Sequence, residues 1–151
     1  MAIEIRHRDG HILYRDEDAH DLREALATAP APLDLAGAQL DGAKLSRMDF
    51  EAARFVGASL IGADLHGANL EEADFTGADL TGANLDGANL EEARLDRVSF
   101  AGGSARGANL EEAAFEGADL SRVVFIGANL EECDFRQAKL AGAQLARANL
   151  E

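Results

Sequence analysis

Every fifth residue from Leu35 to Leu150 is Leu or Phe, with Ala105 the single exception. These twenty-four positions hold sixteen Leu, seven Phe and one Ala, and the seven are all the phenylalanines of the chain. Two residues earlier, from 33 to 148, stand eighteen Ala together with Leu33, Met48, Val98, Gly103, Val123 and Cys133. Two registers in five therefore point inward, and the other three, which carry nearly all the polar residues, face water. A helix would spread a five-residue apolar period around its whole circumference, and an extended strand requires a period of two. The pattern predicts a chain that turns a corner every five residues and buries an alternate pair of side chains on each short side, which is a solenoid.

The corners are also written in the sequence. Gly occupies thirteen of the twenty-three positions two after the central residue, where a tight turn demands positive φ. A longer period of twenty overlies the period of five. Glu71-Glu72, Glu91-Glu92, Glu111-Glu112 and Glu131-Glu132 each follow Asn-Leu, and Glu51 and Glu151 continue the series. With one coil per twenty residues, these pairs stack along a single edge. Roughly six coils at ~4.8 Å per strand spacing give a rod of about 28 Å. Because the Glu-Glu corners never carry Gly at the second turn position, a turn type different from that of the Gly-rich corners is expected there.

The repeated A-(D/N)-L-x-G unit, seen in Ala68-Asn69-Leu70, Ala83-Asn84-Leu85-Asp86-Gly87 and Ala118-Asp119-Leu120, resembles the pentapeptide-repeat family over about residues 33–151. The resemblance implies an all-β fold, a right-handed quadrilateral β-helix with four five-residue sides per coil; period five alone does not show the square. The chain is then expected to divide into an N-terminal cap, residues 1–32, and a pentapeptide-repeat β-helix, residues 33–151.

The first 32 residues lack the repeat. Ile3-Glu4-Ile5 and Ile12-Leu13-Tyr14 alternate around Arg8-Asp9-Gly10-His11, and Asp-Gly is a hairpin signal. Asp18 or a neighbour is expected to cap a short helix through Leu22, Ala25, Leu26 and Ala29, stopped by Pro30 and Pro32. Hairpin and helix would cover the open first coil, where exposed backbone groups invite strand addition. The other end stops in mid-pattern, which makes Phe135, Leu140, Leu145 and Leu150 either candidates for a homodimer interface or the cut face of a truncated chain.

The missing bulk at Ala105 and Gly103 reads as volume compensation by Phe100 and Phe125 rather than as a ligand cavity. Cys133 falls on an inward position and reads as a small core residue. His7, His11, His20 and His66 read as surface histidines, and no nucleophile-elbow, P-loop, zinc-protease or paired-cysteine motif is present. Neither catalytic, cofactor-binding nor metal-binding residues are expected. A net charge of -14 disfavours direct nucleic-acid or anionic-membrane binding, which needs clustered Lys and Arg. No signal peptide or membrane span is recognised, so a cytoplasmic location is expected.

The acidic edge of Glu51, Glu71, Glu72, Glu91, Glu92, Glu111, Glu112, Glu131 and Glu132 is the one feature beyond architecture. It admits three readings: a solvated edge that discourages lateral aggregation, a ladder that captures hard cations, or an electrostatic mimic of nucleic acid. Two charges per ~4.8 Å coil is one per ~2.4 Å, between the ~3.4 Å of one DNA strand and the ~1.7 Å of the duplex. Some pentapeptide-repeat proteins are DNA-like rods that bind DNA gyrase, so the resemblance makes gyrase a candidate partner. Arg54 and Arg94 beside the ladder, and Arg47, Arg106 and Arg147 on another corner, limit such a mimic to one edge. The leading expectation is a non-enzymatic acidic rod for protein–protein interaction.

Overall fold

The structure is a computed structural model that describes residues 3–151. From Asp34 onward, the residue before each central Leu or Phe forms a parallel bridge with the residue twenty positions later, in an unbroken series from Asp34–Arg54 to Asn129–Asn149. With a corner every five residues, that register makes each coil four-sided.

One pentad shows why the sequence closes in this way. The Asp64 N–H donates to Ala43 O of the preceding coil at 2.9 Å, and the N–H groups of Leu65 and Gly67 donate to Asn84 O and Asp86 O of the next coil at 2.8 and 2.9 Å. Ala68 N–H closes the corner onto Leu65 O at 3.0 Å. The remaining donor, His66 N–H, is taken by the Asp64 side chain at 3.1 Å. All five backbone donors are thus satisfied without a long strand, and the Asp/Asn preference before the central residue has a physical cause. Where that residue cannot serve, an Asp of the preceding coil does so, as when Asp86 accepts from Arg106 N–H at 2.8 Å.

The corner bond recurs from Ala38–Leu35 through Ala148–Leu145, and the third residue of each corner has φ between +54° and +76°. This is type II geometry. The expectation of a different turn at the Glu-Glu corners is incorrect: Glu72, Glu92, Glu112 and Glu132 lie at φ +56°, +56°, +58° and +54°. Glu72 N–H donates to Glu91 O at 2.9 Å, as Gly77 N–H does to Asp96 O at 2.9 Å. Stacking on the next coil imposes the conformation whatever the side chain, at a cost of about 1 kcal/mol for each non-glycine residue.

Inside, central residues of successive coils lie on one another. Phe55 and Phe75 stack at 4.7 Å, and Phe115 and Phe135 at 5.3 Å. Among the described residues no polar or charged residue is buried. At the expected gap, Ala105 is fully buried, the Phe100 ring lies where a Gly103 Cβ would be, and Phe125 packs edge-on to Phe100 at 6.4 Å. The volume is filled. Cys133 is half-buried, its thiol donates to Leu110 O at 2.9 Å, and burial pushes it up to about 12.

The N-terminal hairpin and helix are present. β1 (Ile3–Arg6) pairs antiparallel with β2 (Ile12–Asp16), placing Ile5 opposite Tyr14. α1 (Leu22–Thr28) is capped by Asp21, whose carboxylate accepts from Glu24 N–H at 2.8 Å. Ile5 and Leu26 join the core beside Leu35. The hairpin is stitched to the first coil by Gln39 N–H to Arg6 O at 2.8 Å, and the helix by Arg23 to Ser46 O at 2.5 Å. No helix among the described residues is long and apolar enough to cross a membrane.

Candidate functional site

The Glu-Glu pairs occupy the corners Leu70–Ala73, Leu90–Ala93, Leu110–Ala113 and Leu130–Cys133. Since the backbone repeats every twenty residues, they form one edge, with equivalent residues about 4.8 Å apart. The two members of a pair are not equivalent, a distinction the sequence pattern did not reveal.

The first glutamates are structural. Asn89 donates its amide to Glu71 at 3.2 Å, Asn109 to Glu91 at 3.1 Å, Asn129 to Glu111 at 3.1 Å and Asn149 to Glu131 at 3.2 Å. Each of those asparagine amides also reaches the asparagine one coil before it, as Asn109 does Asn89 at 3.1 Å. A column of amides thus runs up the inner side of the edge and ties one carboxylate per coil. Amide donors leave the charge in place but fix its position.

The second glutamates point away from this column. Glu72, Glu92, Glu112 and Glu132 are exposed, and none of them enters an ion pair among the described residues. The Glu112 carboxyl is raised above its ordinary value, first by Glu92, then by desolvation and by Glu132, Glu111 and Glu91. Its neighbours on the edge thus disfavour the charged form of Glu112. Glu51 extends the ladder toward the N-terminus, but its corner continues with Ala52, so only one carboxylate stands there.

On the flanking side three arginines partly offset five acids. Arg54 pairs with Asp34 at 2.6 Å, Arg94 approaches Asp74 and Asp96 at 3.9 and 3.8 Å, and Arg136 binds Asp134 at 2.6 Å and Glu116 at 3.3 Å. At the far end, Phe135 and Leu145 are partly buried, whereas Leu140 and Leu150 are 37% and 57% exposed.

Two features were not read from the sequence. A groove of about 730 Å³ lies between α1 and the first coil, lined in part by Leu26, Pro32, Met48 and Phe50. At the hairpin tip, two of the histidines read as surface groups share a partner: His7 and His11 converge on Asp9, whose carboxyl is held down to about 2, first by His11 N–H and then by His7. The legible signal was His-x-Asp-Gly-His across a tight turn. His20 instead pairs with Glu24 at 2.9 Å, one helical turn away.

Comparison with known proteins agrees with this architecture. No curated protein sequence matches the chain. Among solved structures, the pentapeptide repeat protein Rfr23 from the cyanobacterium Cyanothece 51142 superposes with a TM-score of 0.55 at 23% identity, over 75% of this chain and 88% of that one. A pentapeptide repeat protein from the Arabidopsis thaliana thylakoid lumen is 35% identical over 72% of this chain and 69% of its own, with a TM-score of 0.45. HetL from the cyanobacterium Nostoc, involved in heterocyst differentiation regulation, is 29% identical over 78% and 70%, with a TM-score of 0.43. The fold shared with Rfr23 is the right-handed quadrilateral β-helix. The profile of pentapeptide repeats matches in 8 copies, over residues 34–71, 73–111, 93–131 and 118–151, and with four-sided coils in register over the same span, the chain belongs to the pentapeptide-repeat family.

Proposed function

We propose that this protein is a non-enzymatic acidic rod that binds a basic surface of another protein. The carrying observation is the row Glu72, Glu92, Glu112 and Glu132, exposed and outside every ion pair among the described residues, beside a flank whose acids are partly offset by arginine. Glu71, Glu91, Glu111 and Glu131 add charge held in fixed positions by asparagine. The anchored inner row presents its field without the entropy loss of ordering flexible side chains on binding, while the outer row, carried at fixed backbone positions, supplies the accessible charge. In this reading residues 1–32 cap the first of about six coils of the 33–151 solenoid, and Phe135, Leu140, Leu145 and Leu150 offer an apolar end for a second copy.

A second reading makes the edge a mimic of nucleic acid directed at DNA gyrase. The near-regular charge spacing supports it, at about one carboxylate per 2.4 Å of rod. A partner is sought by capture from host extract with the wild-type chain and with the Glu72, Glu92, Glu112 and Glu132→Gln variant. A partner kept by the first, lost by the second and released by salt is the expected outcome; equal capture by both refutes the edge. Titration of gyrase supercoiling with the same two proteins then separates the readings, since inhibition or protection by the wild type alone identifies the mimic. Sedimentation at increasing concentration reports whether two rods associate.

A further inference from the structure

We propose that His7, Asp9 and His11, at the tip of the N-terminal hairpin, form a binding site for a divalent transition-metal ion of the Zn²⁺ class. One ligand atom of each lies within 4.8 Å of the others. Asp9 Oδ1 is 2.9 Å from His7 Nδ1 and 2.6 Å from His11 Nδ1, and the two imidazoles stack at 4.6 Å, inclined by 20°. Both rings thus turn the same nitrogen toward one carboxylate oxygen.

The cluster is held by backbone rather than assembled by chance contact of flexible side chains. Gly10, at φ +95°, lets the chain reverse between the ligands. His7 N–H donates to His11 O at 2.9 Å and Gly10 N–H to His7 O at 2.8 Å. On the other side, the His7 ring occupies the space where a Cβ on Gly37 would stand, and Arg8 N–H donates to Gly37 O at 3.0 Å. The first coil therefore positions this ligand, whose side chain is only 24% exposed.

Asp9 Oδ1 accepts from His11 N–H at 3.1 Å and faces both Nδ1 atoms, but the contacts at His7 Nδ1 conflict. His7 Nδ1 lies 3.2 Å from the Asp9 N–H, which needs a lone pair there, and also 2.9 Å from Asp9 Oδ1, which needs a proton there. A neutral ring satisfies one of these contacts and not both. A cation among the three ligand atoms would satisfy His7 Nδ1, His11 Nδ1 and Asp9 Oδ1 together.

Ligand type selects the ion. Two imidazoles and one carboxylate suit Zn²⁺, Ni²⁺ or Cu²⁺, whereas Ca²⁺ and Mg²⁺ require many more oxygen ligands. Bonds of ~2.0 Å in a tetrahedral site separate ligand atoms by about 3.3 Å. The two nitrogen–oxygen distances at the tip need to open by less than about 1 Å to reach that value. Water completes the shell on the exposed side. Of the neighbouring cations, Arg6 donates to Gly10 O at 2.9 Å and is paired with Glu4, and Arg8 alone opposes the ion without an acidic partner among the described residues.

The full chain is titrated with ZnCl2 by calorimetry, and with Co²⁺ as a spectroscopic probe. Binding of one ion with a tetrahedral Co²⁺ spectrum is expected, together with imidazole NMR shifts confined to His7 and His11. His11→Ala and Asp9→Asn each weaken it at least about tenfold, whereas His20→Ala and His66→Ala leave it unchanged. The Glu72, Glu92, Glu112 and Glu132→Gln variant retains it, which separates this site from loose binding along the acidic edge and from the fate of the interaction reading. Absence of Zn²⁺ binding at millimolar excess, shifts at other histidines, or undiminished affinity in His11→Ala overturns the proposal.

Discussion

The ring of Phe100 fills the space that a side chain at Gly103 would need. Gly103 is the one inward position with no side chain, and it adjoins Ala105, the one central position without a Leu or Phe. Phe100 turns into the vacated volume and Phe125 meets it edge-on.

Gly103→Ala is therefore expected to destabilise the fold by about 1–3 kcal/mol, the usual cost of overpacking a filled core. Phe100→Leu in the same background should recover part of that loss. Gly82→Ala is the control: its φ is +67° and nothing lies within 4 Å of the added Cβ, so only backbone strain of about 1 kcal/mol is expected. Urea unfolding of the three variants checks this, and equal losses for Gly103→Ala and Gly82→Ala would mean that the ring does not fill the site.

Asn109→Ala removes an amide that reaches Asn89 and Glu91, and a carbonyl that accepts from Asn129 at 3.1 Å. Loss of these part-buried bonds should cost about 1–3 kcal/mol. Glu92→Gln, on the outer row, should cost nothing. Thermal melts of the two variants decide whether the amide column supports the edge, and a smaller loss in Asn109→Ala than in Glu92→Gln contradicts it.

The acidic edge should also set a pH dependence. The Glu112 carboxyl is raised in the fold from 4.5, so the native chain holds that proton more readily than the unfolded one. Its contribution is least harmful below 4.5, and stability is lost as pH rises through the folded value. Glu112→Gln should raise the melting temperature at pH 7 in low salt. The gain should vanish below about pH 4, where the carboxyl is protonated in both states, and at about 1 M salt, where screening acts over about 3 Å. A gain that persists at pH 3 would assign the effect to something other than charge.

Much of the fold was legible because the core is one-dimensional: Leu or Phe at every fifth position and Ala two before it require a chain that turns a corner every five residues, although not how many corners close a coil. The twenty-residue coil was legible in the Glu-Glu spacing, and the bridge from Asn69 to Asn89 has that register. Residue preference misled at the corners. Glu72 resembles nothing that favours positive φ, yet the hydrogen bond to Glu91 O places it there, because stacking outweighs a local cost of about 1 kcal/mol.

The site was less legible for a similar reason. Glu71 and Glu72 are identical letters, and only the position of Asn89, eighteen residues on from Glu71, makes one anchored and the other free. His7 and His11 read as surface histidines, because their convergence on Asp9 depends on the reversal at Gly10 and on the space left by Gly37. Relations between coils, or across a turn, do not show in a single pentad.

The register of twenty makes the rod sensitive to insertion length in an unusual way. Adding twenty residues would lengthen it by one storey and leave every later side chain above its old neighbours. Adding five would keep every pentad intact and the interior filled, yet rotate all that follows by a quarter turn, breaking the column Asn69, Asn89, Asn109 and carrying the later glutamates to an adjoining wall. Length and facing can thus change separately in a chain built from one small unit.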